Sequence, residues 1–200
     1  QITDEFNNEK VLSNRMESLE KEETLIAKFE IDTRDLSGFQ NLVFEINPEE
    51  DQPELYHFNN YAVKQFYIDQ DKKNPLMDVT FDGVHIMDGD IVSPEPNIYI
   101  SVKDENKFLA LSDTSLFKVF IKYPEAHVTE NVSFQNDWIT FYPASTSELG
   151  VKNNAYIEFK PEFKEDGIYQ LLVQAEDASG NQSGDVDYKV NFEVINKSMI

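Results

Sequence analysis

EDGIYQLLVQAEDASGNQSGDVDYKVNFEVI, residues 165–195, decides the fold. Its second half runs Val186, Asp187, Tyr188, Lys189, Val190, Asn191, Phe192, Glu193, Val194, apolar and polar in turn. That two-residue period belongs to a strand with one face in a core and the other in water, because a helix would scatter the same residues around its circumference. In the first half Tyr169, Leu171, Val173 and Ala175 alternate with Gln170, Leu172 and Gln174, and residues 177–184 supply the Asp, Ser, Gly and Asn that reverse a chain. The stretch is therefore a hairpin.

Working upstream, short apolar runs recur at residues 79–81, 98–102, 117–121, 138–142 and 156–159. Breakers separate them: Asp82-Gly83, Asp88-Gly89-Asp90, Pro94, Pro96, Tyr123-Pro124, Asn136-Asp137, Pro143 and Asn153-Asn154. With the hairpin this makes seven strands in about 120 residues, the count and spacing of an immunoglobulin-like sandwich. Asp166-Gly167-Ile168-Tyr169 fits that reading as a tyrosine corner, in which a Tyr near the start of the penultimate strand turns its hydroxyl back to the backbone. Further upstream, Leu25, Ala27, Phe29 and Ile31 alternate as one strand, Leu42, Phe44 and Ile46 as a second, and residues 62–68 form a third after an acidic loop. Residues 1–23 are polar, with Leu12, Met16 and Leu19 at helical spacing; a short helix and an ordered loop both fit. The expected architecture is all-β: two immunoglobulin-like β-sandwich modules in tandem, a partial one over residues 1–73 and a complete one over residues 74–197. No internal repeat points to a solenoid or propeller.

Seventeen basic against 38 acidic residues give a net charge of -21. Such a surface repels phosphates and anionic lipids, so nucleic acid and acidic membranes are poor partners. The chain has no cysteine, which removes disulfides, thiolate metal ligands and a cysteine nucleophile together. No apolar run approaches the roughly 20 residues of a spanning helix, so membrane insertion is not expected. A start without Met or a signal peptide fits a piece of something longer.

Catalytic pairings are missing from the sequence. His57, His85 and His127 are dispersed, and no zinc-peptidase, nucleophile-elbow, Walker or dinucleotide motif occurs. This segment is expected not to be an enzyme and to need no cofactor. Calcium is the one ligand the residues suggest, since it takes six to eight oxygens and strand-end loops can present them. Three loops qualify: Asn47, Glu49, Glu50, Asp51 and Glu54; Asp82, Asp88 and Asp90; and Asp177, Asn181, Asp185 and Asp187. None has EF-hand spacing, and Asp builds turns without any metal. Trp138 alternates with Thr140 and Tyr142 as a core residue, the other reading being a glycan-stacking ring. Tyr56, His57 and Phe58 fit a seal at the end of the first module, or an exposed recognition patch.

Two stretches carry a resemblance. KFEIDTRDLSGFQNLVFEINPEEDQPELYHFNNYAVKQFYI, residues 28–68, resembles the second half of the adhesion-related CARDB module of bacteria, through Ile46, Asn47-Pro48, Glu54 and Asn59-Asn60 before the last strand. PLMDVTFDGVHIMDGDIVSPEPNIYISVKDENKFLALSDTS, residues 75–115, together with the hairpin, is similar to the C-terminal immunoglobulin-like module of large Bacteroidetes surface proteins that carry a gingipain-like peptidase domain and leave by type IX secretion. The resemblance implies a secreted or cell-surface location at the bacterial outer membrane exterior. It also implies a stalk, spacer, adhesion or docking role, with other domains of a parent chain or secretion-system proteins as partners. Any peptidase activity would belong to that parent. A free-standing glycan- or calcium-binding sandwich is the alternative.

Overall fold

The structure, a computed structural model, describes residues 1–17, 20, 22–50, 52–145 and 152–196. The chain forms two compact units, Gln1–Gln70 and Asp71–Ile200.

The first unit is one antiparallel sheet of β1 (Ile2–Asp4), β2 (Glu9–Lys10), β3 (Gly38–Glu45) and β4 (Tyr61–Ile68), in the order β2-β1-β3-β4. The β1–β2 hairpin is built by Asp4, whose Oδ1 accepts from the backbone N–H of Phe6 at 2.9 Å and of Asn8 at 2.8 Å. Asn7 takes the left-handed conformation at φ 63° that the turn requires. No helix forms over residues 11–17; Leu12 and Met16 are each 39% exposed, and a helix that short is marginal in water without a surface to bury against. Leu19 lies outside the described residues. The strand expected over residues 25–31 is also not formed: these residues join no ladder, and both sides of β3 are taken by β1 and β4. Ile2 is the buried apolar residue of this unit among the described residues, beside a buried Gln40 and Asn60.

The second unit holds β5 (Leu76–Phe81), β6 (Asp90–Val92), β7 (Ile98–Asp104), β8 (Phe117–Lys122), β9 (Glu130–Asn131), β10 (Ile139–Tyr142), β11 (Asn153–Phe159), β12 (Gly167–Ala175) and β13 (Tyr188–Val194). They make two sheets, β10-β11-β7-β5 and β6-β13-β12-β8-β9. Naming β5 and β6 as the two halves of strand A and β7 onward as B to G, the sheets read D-E-B-A and A′-G-F-C-C′. This is the strand order of the immunoglobulin fold. Pairing is antiparallel throughout except for β6, which runs parallel to β13 with Asp90 opposite Phe192. The sequence period missed β6 and β9, which at three and two residues are too short to show alternation.

The core lies between these two sheets. Ile98, Ile100 and Val102 on β7, Ala155, Ile157 and Phe159 on β11, Tyr169, Leu171 and Val173 on β12, and Val190, Phe192 and Val194 on β13 all point inward. At one end Phe163 lies 4.4 Å from Tyr169 between ring centroids, and Phe192 lies 5.3 Å from Phe81 and 5.4 Å from Phe163. Tyr169 forms the expected corner, its hydroxyl donating to the Glu165 carbonyl at 3.0 Å. Gly167 precedes it at φ 138°, where a Cβ would meet the Pro124 ring at 2.9 Å, so only glycine fits. Trp138 departs from the core reading. It is 37% exposed just before β10, a sheet edge, with its ring 5.4 Å from that of Phe159.

Candidate functional site

The polar centre of the second unit is at the end of the sandwich where β5 begins and β7 and β12 finish. Asp104 closes β7 in the inward phase of Ile98, Ile100 and Val102, and is 5% exposed. Asp177, just past β12, is 1% exposed. With Asp71 they bring one carboxylate oxygen each to within 4.8 Å of one another. Neighbouring amides hold each of them. Asp71 Oδ2 accepts from Asn106 Nδ2 at 2.7 Å and its carbonyl from Asn181 Nδ2 at 3.2 Å. Asp177 Oδ1 accepts from the N–H groups of Ser179 and Asn181, each at 2.8 Å, and its Oδ2 from Asn181 Nδ2 at 2.8 Å.

Asn153 ties this end together. It opens β11 in the inward phase, is 3% exposed, and donates through Nδ2 to Asp104 Oδ2 at 3.2 Å, the Asn106 carbonyl at 3.1 Å and the Leu109 carbonyl at 2.7 Å. Its Oδ1 accepts from Leu111 N–H at 3.0 Å. The 106–111 loop is therefore fastened to the sheet by one amide.

Gathering like charges in a poorly hydrated place is costly. Burial pushes the Asp104 carboxyl above its ordinary value, the Asn106 N–H opposes that, and the charges of Asp71 and Asp177 add to the rise. What the arrangement can do chemically is take up positive charge, either a proton on Asp104 or a hard divalent cation among the three carboxylates. Because the folded-state pKa is raised, the stability penalty is present above it and is relieved as pH falls through it. Asp71→Asn should thus raise the melting temperature at pH 7, and the gain should shrink toward pH 4 as Asp104 protonates. Thermal melts across that range check this. A further rise in millimolar calcium that the same substitution removes would mark the cation, and no such rise would leave the proton.

Of the residues singled out for calcium, Asp177 alone contributes a carboxylate to this group, and Asn181 braces it through its amide. Asn47 donates to the Gln52 carbonyl and to Glu54 Oε1, both at 2.7 Å, and has φ 53°; Glu50 follows in the same turn at φ 54°. Asp51 lies outside the described residues. Asp82 Oδ1 accepts from Asn97 N–H at 2.9 Å, Asp88 Oδ1 from Asn191 N–H at 2.7 Å, and Asp90 Oδ2 from Met87 N–H at 2.8 Å. Asp187 Oδ2 accepts from Gln174 Nε2 at 2.9 Å, and Asp185 is exposed. Most of these side chains shape turns or fasten neighbouring segments. Sequence reading missed Asp71, Asp104 and Asn153; the visible signal for the last two was a polar residue in the inward phase of an apolar alternation.

Elsewhere two depressions mark the described surface of this unit, the larger a broad one of about 610 Å³ along Phe81, His85, Asp90 and Val92. The other, of about 190 Å³ between Lys118, Gln174, Ser183 and Asp187, is smaller than the usual small-molecule site. On the outer face of the first sheet of this unit Tyr142 and Tyr156 stack at 4.4 Å, so these two rings cover each other's faces. His85 pairs with Asp78 at 2.7 Å, with both side chains exposed.

Fold and site together define an all-β segment, one unit a single antiparallel sheet and the other an immunoglobulin-like sandwich with an acidic, amide-braced end. No family model and no curated protein matches the chain. Among solved structures it is similar to dimeric latent PorU from Porphyromonas gingivalis, at 16% identity and TM-score 0.44, covering 82% of this chain and 14% of that one. It is also similar to a mutant of the SrpA adhesin from Streptococcus sanguinis, at 11% identity and TM-score 0.28, covering 62% of this chain and 60% of that one. The chain thus spans about one seventh of the PorU chain. Likeness at this level says nothing of activity, and the fold assignment rests on strand order and register.

Proposed function

We propose that this chain is a non-catalytic accessory segment of a secreted or cell-surface bacterial protein, with its second unit acting as an in-line spacer. One observation carries the reading. Asp71 is held beside Asp104 and Asp177, at the end of the sandwich where β12 finishes. β13 leaves at the other end, where Val194 pairs with Gly167, and Asn196 N–H donates to Asp166 Oδ1 at 2.7 Å. The chain enters and leaves at opposite ends, about 25–30 Å apart along a nine-residue strand. Domain termini often lie close together, so this placement suits a module that separates its neighbours. The resemblance of residues 28–68 to the CARDB module and of residues 75–115 and the hairpin to type IX surface proteins supports the finer placement on such a parent, with its other domains or secretion-system neighbours proposed as the partners.

A spacer pulled from opposite ends loads its strand ladders along their length, so many hydrogen bonds must break together. In single-molecule pulling of the full chain, the second unit should unfold in one force peak that releases about 120 residues, roughly 400 Å of chain. Gradual extension without a peak would contradict the spacer reading.

A further inference from the structure

β4 is an open edge. It pairs with β3 along its eight residues and is last in its sheet. Ile46 N–H donates to the Asn60 carbonyl, and the amino group of Gln1 bonds the Val43 carbonyl on the other side of β3. These bonds set the phase of the ladder. Even-numbered β4 residues bond β3, while Tyr61, Val63, Gln65 and Tyr67 direct their N–H and C=O groups outward. Natural edges are blunted with proline, bulges or charges, but β4 has no proline, an unbroken register and one charged residue, Lys64. Val63 and Tyr67 are 68% and 60% exposed on the same face as Phe39 at 54%.

The same unit holds a strand-forming sequence without a ladder. Residues 25–31, LIAKFEI, alternate as a strand should, yet they make no backbone hydrogen bond among the described residues, and Leu25, Ile26 and Phe29 are 50%, 75% and 41% exposed. The two match in register and charge. Set antiparallel with Glu30 opposite Lys64, the segment places Leu25, Ala27, Phe29 and Ile31 on the face of Tyr67, Val63 and Phe39. The other face then receives Ile26 opposite Ile68 and an opposite-charge pair at its centre. We infer that β4 takes up residues 25–31 of a second copy of this chain as a fifth strand, giving a dimer through reciprocal strand addition. Sixteen acidic and six basic residues in the first unit oppose the approach of two copies, so salt should favour it.

The test is the mass of the full chain by sedimentation equilibrium from 5 to 200 µM at 0.15 M and 0.5 M NaCl. The expected result is a shift from 23.2 kDa toward about twice that mass with rising concentration, at lower concentration in the higher salt. Val63→Pro removes an outward N–H without touching the β3 ladder, and Phe29→Pro alters the unpaired donor segment; each should give monomer with an unchanged far-UV spectrum. Should Val63→Pro fail to fold, Phe29→Pro decides alone. A monomer at every concentration, or a dimer indifferent to Phe29→Pro, overturns the inference. Neither result bears on the spacer geometry of the second unit.

Discussion

Phe192→Ala should destabilise the second unit by about 3–5 kcal/mol, lowering its melting temperature by roughly 10–20 °C. Phe192 is fully buried on β13, with its ring against Phe81, Phe163 and Tyr169, residues drawn from both sheets and from the segment between β11 and β12. Truncation leaves a void that three aromatic rings in a close-packed interior cannot fill without leaving their own positions. Chemical denaturation followed by the aromatic signal of this unit measures the loss. Phe44→Ala, at a residue 44% exposed in the first unit, is the control and should leave that transition in place. A loss under 1 kcal/mol for Phe192→Ala would mean that the two sheets do not pack as described.

Asn153→Ala should cost about 2–5 kcal/mol, although it removes only a small polar side chain. The substitution leaves Leu111 N–H and the carbonyls of Asn106 and Leu109 without the partner that now binds them, and takes a donor from Asp104. Buried polar groups left unpaired carry their full desolvation cost. Asn153→Asp separates charge from shape, because it keeps the acceptor for Leu111 but turns a donor toward Asp104 into another carboxylate. At pH 7 it should be worse than alanine, and it should recover as the pH is lowered and the added carboxyl protonates. Equal stability of the two variants across pH 4–8 would show that the acidic end is well hydrated, contrary to its burial.

The hairpin was legible because its two strands alternate over seven or more residues, and the shorter strands of the sandwich because turn residues bound their apolar runs. Tyr169 and Phe192 occupied inward phases in the sequence, and both are in the core. Residues 25–31 show the limit of that signal. Alternation states that a segment can form a strand, not that it finds a ladder: both sides of β3 are taken, and residues 25–31 do not pair with the open edge of β4 in their own chain. The acidic end was half legible. Asp177 stood out among turn residues, but Asp71 reaches it across more than a hundred positions, and no spacing rule connects them. Asp104 and Asn153 were visible as polar residues in apolar phases, yet phase alone does not say that they meet.

The absence of native cysteine makes the central claim directly measurable. Spin labels on a Lys72→Cys, Asn196→Cys double variant of the full chain report the distance between the points where the chain enters and leaves the second unit. The spacer account predicts a single narrow distribution at about 25–30 Å, broadened only by the label tethers. A distribution centred below about 15 Å would put both ends at the same pole of the sandwich and contradict it.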